Sequence, residues 1–163
     1  MFREMRRAKQ QLTHEECIAI LEKATSGVLA VDGDDGYPYA VPMNYVYHNG
    51  QLLFHSAQTG HKLDALQKNE KASFCVVSQD EIVPEKFTSY FRSIIAFGKA
   101  HMITDENEKL NALMLLAKRF SPDHVPGREA DIEKNLPLLH MLSLRIEHMT
   151  GKEGLDLTNA KHQ

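Results

Sequence analysis

Apolar residues recur along the chain with two different periods, and the change from one to the other marks out its elements. Cys17, Ile20, Leu21 and Ala24 form a helical stripe behind Thr13-His14-Glu15-Glu16, a capping box, and predict a first helix from Thr13 to Ala24. Asp105 and Glu108 head a second stripe of Leu110, Leu113, Met114, Ala117 and Phe120 that stops before Ser121-Pro122. Shorter helices are predicted after Thr59, through Leu63 and Leu66 to Asn69, and from Arg128 to Asn135, with Pro137 as the stop.

The other apolar runs have strand character. Gly27 to Val31 is a short strand, and Asp32 to Gly36 is a turn cluster. Tyr37 to Tyr47 and Leu52 to His55 flank Asn49-Gly50, the dipeptide best suited to a tight reversal, and predict a hairpin. Lys71 to Ser78 is apolar on both faces and should be central; Asp80 to Lys86, acidic and carrying Pro84, should be loop. Ser89 to Ile103 is a long β-branched and aromatic run with Gly98 marking a bulge or bend. In Leu139 to Met149, Leu142, Leu144 and Ile146 alternate with Ser143, Arg145 and Glu147. About six strands with helices inserted between them predict a mainly β protein, a closed or split antiparallel β-barrel of Greek-key type rather than a parallel βαβ sheet.

With 163 residues the chain is long enough for one domain, placed at 1–152, with 153–163 as a polar, mobile tail. The net charge of −3, with both signs interspersed, argues against nucleic acid and against a polybasic membrane patch, and leaves a small molecule or another protein as partner. The N-terminal segment lacks a signal-peptide core and no apolar run reaches membrane-spanning length. The two cysteines, Cys17 and Cys75, lack CxxC spacing and read as small apolar residues, so the expected location is the cytoplasm.

Candidate chemistry concentrates where the second hairpin arm empties into a helix start, His55-Ser56-Ala57-Gln58-Thr59-Gly60-His61-Lys62. Free N–H groups at a helix start welcome a dianion, Gly60 allows close approach, and Lys62 adds a charge. The plain alternative is an ordinary strand-to-helix connection with Thr59 as N-cap and a solvated Lys62, and the local pattern leaves both open. His55 fits a rim histidine as well as a ligand contact. His55 and His61 lack a third partner, so no metal site is predicted. Tyr45, Tyr47 and Phe54 read as cross-strand packing. Ser93 lacks an Asp/His pair, and no catalytic residue is assigned.

Four blocks in order, P-Y-A-V-P-M-N-Y, F-H-S-A with G-H-K, Y-F-R-S-I-I-A-F-G-K-A and R-I-E-H-M-T-G-K, resemble the FMN-binding split-barrel family typified by pyridoxamine 5′-phosphate oxidase, and more narrowly its nitroimidazole-resistance branch. The resemblance covers Met5 to Lys152. It implies a homodimer with FMN at the subunit interface: Val41, Pro42, Met43 and Asn44 bordering the ring, His55, Ser56, His61 and Lys62 holding the phosphate, and Ser93 with Met149 to Lys152 contributed by the partner. It also implies a flavin-dependent oxidoreductase acting on a small planar acceptor such as a nitroaromatic or quinone. The rival reading is a module that sequesters flavin or haem without turnover, with His55 or His61 as axial ligand. The chain departs from the oxidase where that enzyme has a basic residue on the first arm (here Ala40, Val41 and Tyr45) and a Trp in the last strand (here Met149), which argues against pyridoxamine phosphate as substrate.

Overall fold

The computed structural model describes residues 1–162. Its strands are β1 (Ser26–Asp32), β2 (Pro38–Asn44), β3 (Val46–His48), β4 (Gln51–Ser56), β5 (Lys71–Val83), β6 (Thr88–Met102) and β7 (His140–Glu153), and its helices α1 (His14–Lys23), α2 (His61–Lys68), α3 (Glu106–Phe120), α4 (Val125–Asn135) and α5 (Leu155–Ala160). All strands join one antiparallel sheet in the order β2-β1-β5-β6-β7-β4-β3. The two terminal strands of that order, β2 and β3, are consecutive in the chain and separated by Tyr45 alone. One residue spans about 3.8 Å, so the sheet must curl until its two edges nearly meet. That closure makes it a split barrel.

Side-chain parity shows what fills it. The register Leu29–Phe74–Ala96–Met149 runs across β1, β5, β6 and β7, and its first three members are at most 1% exposed. Tyr45, Phe54 and Phe74 pack as an aromatic cluster at the centre, and Leu52, Leu142, Leu144 and Ile94 complete the interior. A second cluster lies outside the barrel, where Leu113 and Leu116 of α3 and Ile132 of α4 cover Leu53 and Met141. Both sides of β7 are therefore buried around Met141–Leu144, and Ser143 there is 3% exposed with its hydroxyl donating to Gln51.

Local signals explain the helix starts. Thr13 accepts from the Glu16 amide while Glu16 accepts from the Thr13 amide, the reciprocal capping box. Asp105 accepts from the Glu108 amide at the start of α3. Asn49 and Gly50 both have positive φ, 47° and 78°, and close the tight β3–β4 turn. The register slips between Phe97 and Gly98, as the glycine in an apolar strand predicts.

Three expectations are corrected. The first hairpin arm is not one strand: Pro38–Asn44 pairs back on β1, and only Val46–His48 pairs with β4, so there are seven strands rather than about six. The break falls at Tyr45 because its ring enters the core while its hydroxyl donates to the Leu21 carbonyl at 2.8 Å. The acidic stretch from Asp80 continues β5 to Val83, paired with β6, because cross-strand pairing outweighs the poor β-propensity of its acids. Beyond Lys152 the strand runs on to Glu153 and the chain then forms α5, in place of the expected mobile tail.

Candidate functional site

The residues singled out from the sequence fall into three places. The first is β2, at the free edge of the sheet. Proline cannot donate to a ladder, so Pro38 and Pro42 must occupy positions whose N–H sites point away from β1. By the two-residue period, the amides of Ala40 and Asn44 point the same way and leave the edge with donors alternating with carbonyls. Pro42 and Asn44 are exposed on the outer face, whereas Val41 and Met43 turn inward and join the core, so a ligand along this strand meets their backbone rather than their side chains. The Asn44 side-chain Nδ2 donates to the Thr25 carbonyl at 3.0 Å.

The second place is the β4–α2 junction. Gly60, at φ 139°, is the N-cap and supplies no side-chain cap, which leaves the leading N–H groups of α2 for a ligand or water. Thr59 therefore does not act as the N-cap. Lys62 is half-buried in the first turn, and Ser56 is 3% exposed with its hydroxyl donating to the Ala57 carbonyl at 3.0 Å. The His61 ring packs tilted against Tyr39 with centroids 4.1 Å apart, and its Nε2, without a hydrogen-bond partner, lies 3.5 Å from the Asp34 carboxylate. That ring contact brings the start of α2 beside the start of β2. His55 points outward and is exposed. Asp34 and Tyr39 are site neighbours that sequence reasoning missed; the only available sign was the turn cluster that folds Asp34 back towards Tyr37.

The third place is the outer face of β6 and β7, where Ser93 and Lys152 stand directly opposite each other. With strands about 4.8 Å apart, Ser93 lies roughly 14 Å along the sheet from β2, and Lys152 one strand farther. One chain thus separates this pair from the other two places. Lys152 sits over the Phe91 ring at 5.2 Å. Beside it, Glu153 is 2% exposed and takes hydrogen bonds or ion pairs from Arg92 at 3.2 Å, Lys161 at 2.8 Å and Thr158 at 3.3 Å. Burial pulls the Lys161 pKa down, but its bonds to Glu153 and Glu16 outweigh this and hold it above the ordinary lysine value. Among the described residues no three His, Cys, Asp or Glu side chains are grouped to hold a metal.

The arrangement can bind an elongated ligand with an anionic end at α2 and a hydrogen-bonding edge along β2. It contains no nucleophile–base pair. Among solved structures, the chain is similar to a proposed 5-nitroimidazole antibiotic resistance protein from Bacteroides thetaiotaomicron (24% identity, TM-score 0.73, covering 88% of this chain and 86% of that one). It is also similar to the flavocytochrome Anf3 from Azotobacter vinelandii (20%, 0.76, 93% and 72%) and to the FAD and heme binding protein from Mycobacterium smegmatis (23%, 0.72, 94% and 80%). Among curated proteins none matches. The family model described as pyridoxamine 5′-phosphate oxidase matches residues 13–153, from the α1 cap to the buried Glu153. The chain belongs to the pyridoxamine 5′-phosphate oxidase family.

Proposed function

We propose that the protein binds FMN between two copies of the chain and reduces a small planar acceptor, such as a nitroaromatic or a quinone. The observation that carries this is the uncapped start of α2 lying beside the free edge of β2. The phosphate would take the leading N–H groups of α2 and the Lys62 ammonium, and the buried Ser56 hydroxyl could add a bond by turning from Ala57. The polar edge of the ring would pair with the Ala40 and Asn44 amides and neighbouring carbonyls, with Pro42 giving apolar contact. Ser93 and Lys152 of the partner subunit would close the opposite side. Bound flavin supplies the electron transfer, so the chain's task is to orient it, exclude water and leave room for a flat acceptor.

Titration of the protein with FMN, FAD and riboflavin tests the binding half: FMN should bind tighter than riboflavin, and equal affinities would remove the phosphate site from the reading. Of the flavocytochrome and the FAD and heme binding protein, the second carries FAD in its name and makes FAD the competing flavin; tighter binding of FAD would replace FMN as the cofactor. Anaerobic stopped-flow tests the chemistry, with loaded protein expected to hand electrons to nitroaromatics or quinones faster than free FMN does.

Those same two names also favour a second reading, a flavin- or haem-sequestering module. His55 is then the better axial ligand, since it is exposed whereas the His61 Nε2 faces Asp34 and is buried. A Soret band in the purified protein, together with no acceptor outrunning free FMN, would select it.

A further inference from the structure

Beyond the row in which Arg92 opposes Glu153, β5 and β6 leave the rest of the sheet and continue as a two-stranded ribbon, Asp80 against Phe91 to Val83 against Thr88. Ribbons of two strands are marginal alone. Where this one meets Gly154 and the start of α5 it borders a cavity of about 710 Å³, the size of a small-molecule site. Three large apolar side chains that line it, Ile82, Phe87 and Leu155, are 70%, 99% and 55% exposed, an unusual density of wet apolar surface around one hollow. Phe87 has φ 50° and ψ 39°, a left-handed conformation that costs a bulky residue energy and is kept chiefly where function repays it.

The polar part of the lining has one sign. Arg7 is its only charged member, exposed and in no ion pair among the described residues, with a single long bond of 3.4 Å to Gln10. Gln10 donates its Nε2 to the Glu153 carbonyl at 2.8 Å and so offers Arg7 only its single Oε1, which leaves most of the guanidinium donors free. Of the nearby carboxylates, Glu153 pairs with Arg92 and Lys161 and Glu16 with Lys161, while Asp156 and Glu85, which flank the lining residues Leu155 and Pro84, lie close enough to Lys86 to act on its charge. Lys86, next to the lining, is held by the Tyr90 hydroxyl at 2.7 Å. A guanidinium with free donors above an apolar, partly aromatic hollow complements a flat apolar body carrying one negative group.

We infer that this cavity is a binding site for an aromatic carboxylate or a similar amphipathic organic anion, with Arg7 as the residue that selects the charge. The inference stands on the cavity alone and holds whether or not the flavin reading does. NMR titration of the ¹⁵N-labelled, deuterated full chain with naphthalene-1-carboxylate, and with the neutral naphthalene-1-methanol, tests it. Shifts should centre on the amides of Thr88, Ser89 and Gly154, and the carboxylate should bind about tenfold more tightly than the alcohol, the scale of one charge-assisted bond. Arg7→Gln should abolish that preference and leave the alcohol affinity unchanged. Phe87→Ala should weaken both ligands, and both positions are exposed enough for the variants to fold. Equal affinities for the two ligands in the unsubstituted protein, shifts centred elsewhere, no saturation at millimolar ligand, or a preference that survives Arg7→Gln would each overturn it.

Discussion

Single side chains decide both the shape of the barrel and the sign of its ligand. Tyr45 is fully buried, and burial pushes its phenol pKa well above the ordinary value, so it remains a neutral donor to the Leu21 carbonyl at the end of α1. Tyr45→Phe keeps the packing but leaves that carbonyl without its partner, and should cost about 1–2 kcal/mol, a fall of roughly 3–6 °C in Tm by thermal melt. The sequence shows Tyr45 as a packing aromatic but cannot show the bond to α1, because β1 and β2 lie between it and Leu21. The place of Lys62 in the first turn of α2 was legible from the glycine two residues before it. Lys62→Ala should weaken FMN by about 1–3 kcal/mol and riboflavin hardly at all; equal losses for both ligands would put the phosphate elsewhere. His61 could be placed from the sequence only at the start of α2, since its packing against Tyr39 depends on β2 turning back to β1.

Elements with a strong local signal could be read directly: the Thr13 and Asp105 caps, the Asn49-Gly50 turn and the Gly98 bulge. Those whose fate rests on distant charge could not. The C-terminal segment looks like a solvated tail because its acids and lysine are polar, yet Glu153 is buried and Lys161 of the last turn bridges it to Glu16 of α1. Glu153→Gln would leave Arg92 and Lys161 facing a neutral amide; since both cations are about a third exposed, the loss should be about 2 kcal/mol, below the usual figure for a fully buried pair. The same bridge gives α5 an acid dependence. The hydrogen bond from Lys161 holds the Glu16 carboxyl below its ordinary value of 4.5. A depressed folded pKa means the stabilisation is complete above the unfolded value and is lost as pH falls through the folded one. Amide exchange in α5 should therefore speed up, relative to the barrel strands, as pH drops below 4.5, and Lys161→Ala should show the fast rate already at neutral pH.

At the scale of the molecule, α3 and α4 cover the side of the barrel at β3, β4 and the start of β7, whereas the outer face of β2, β1, β5, β6 and β7 keeps apolar side chains in contact with solvent. Its middle row is Pro42, Val28, Cys75, Ile95 and Thr150, and Val28, Ile95 and the neighbouring Val77 are 38%, 42% and 62% exposed. Ser93 and Lys152 stand on this same face, too far along the sheet to meet a ligand on the β2 edge of their own chain. A second copy laid face to face would cover the apolar row and carry its Ser93 and Lys152 to the first copy's β2 edge, so that one surface would serve both association and the binding proposed above. The unsubstituted protein should therefore sediment as a dimer at micromolar concentration. Ile95→Asp puts a charge in the middle of that row without disturbing the interior, since the inward neighbours Ile94 and Ala96 remain, and should yield folded monomer with FMN affinity reduced at least tenfold. Sedimentation and FMN titration on the same samples separate the alternatives: a monomer that keeps full affinity would confine the flavin to one chain, and a variant that stays dimeric would move the interface to another face.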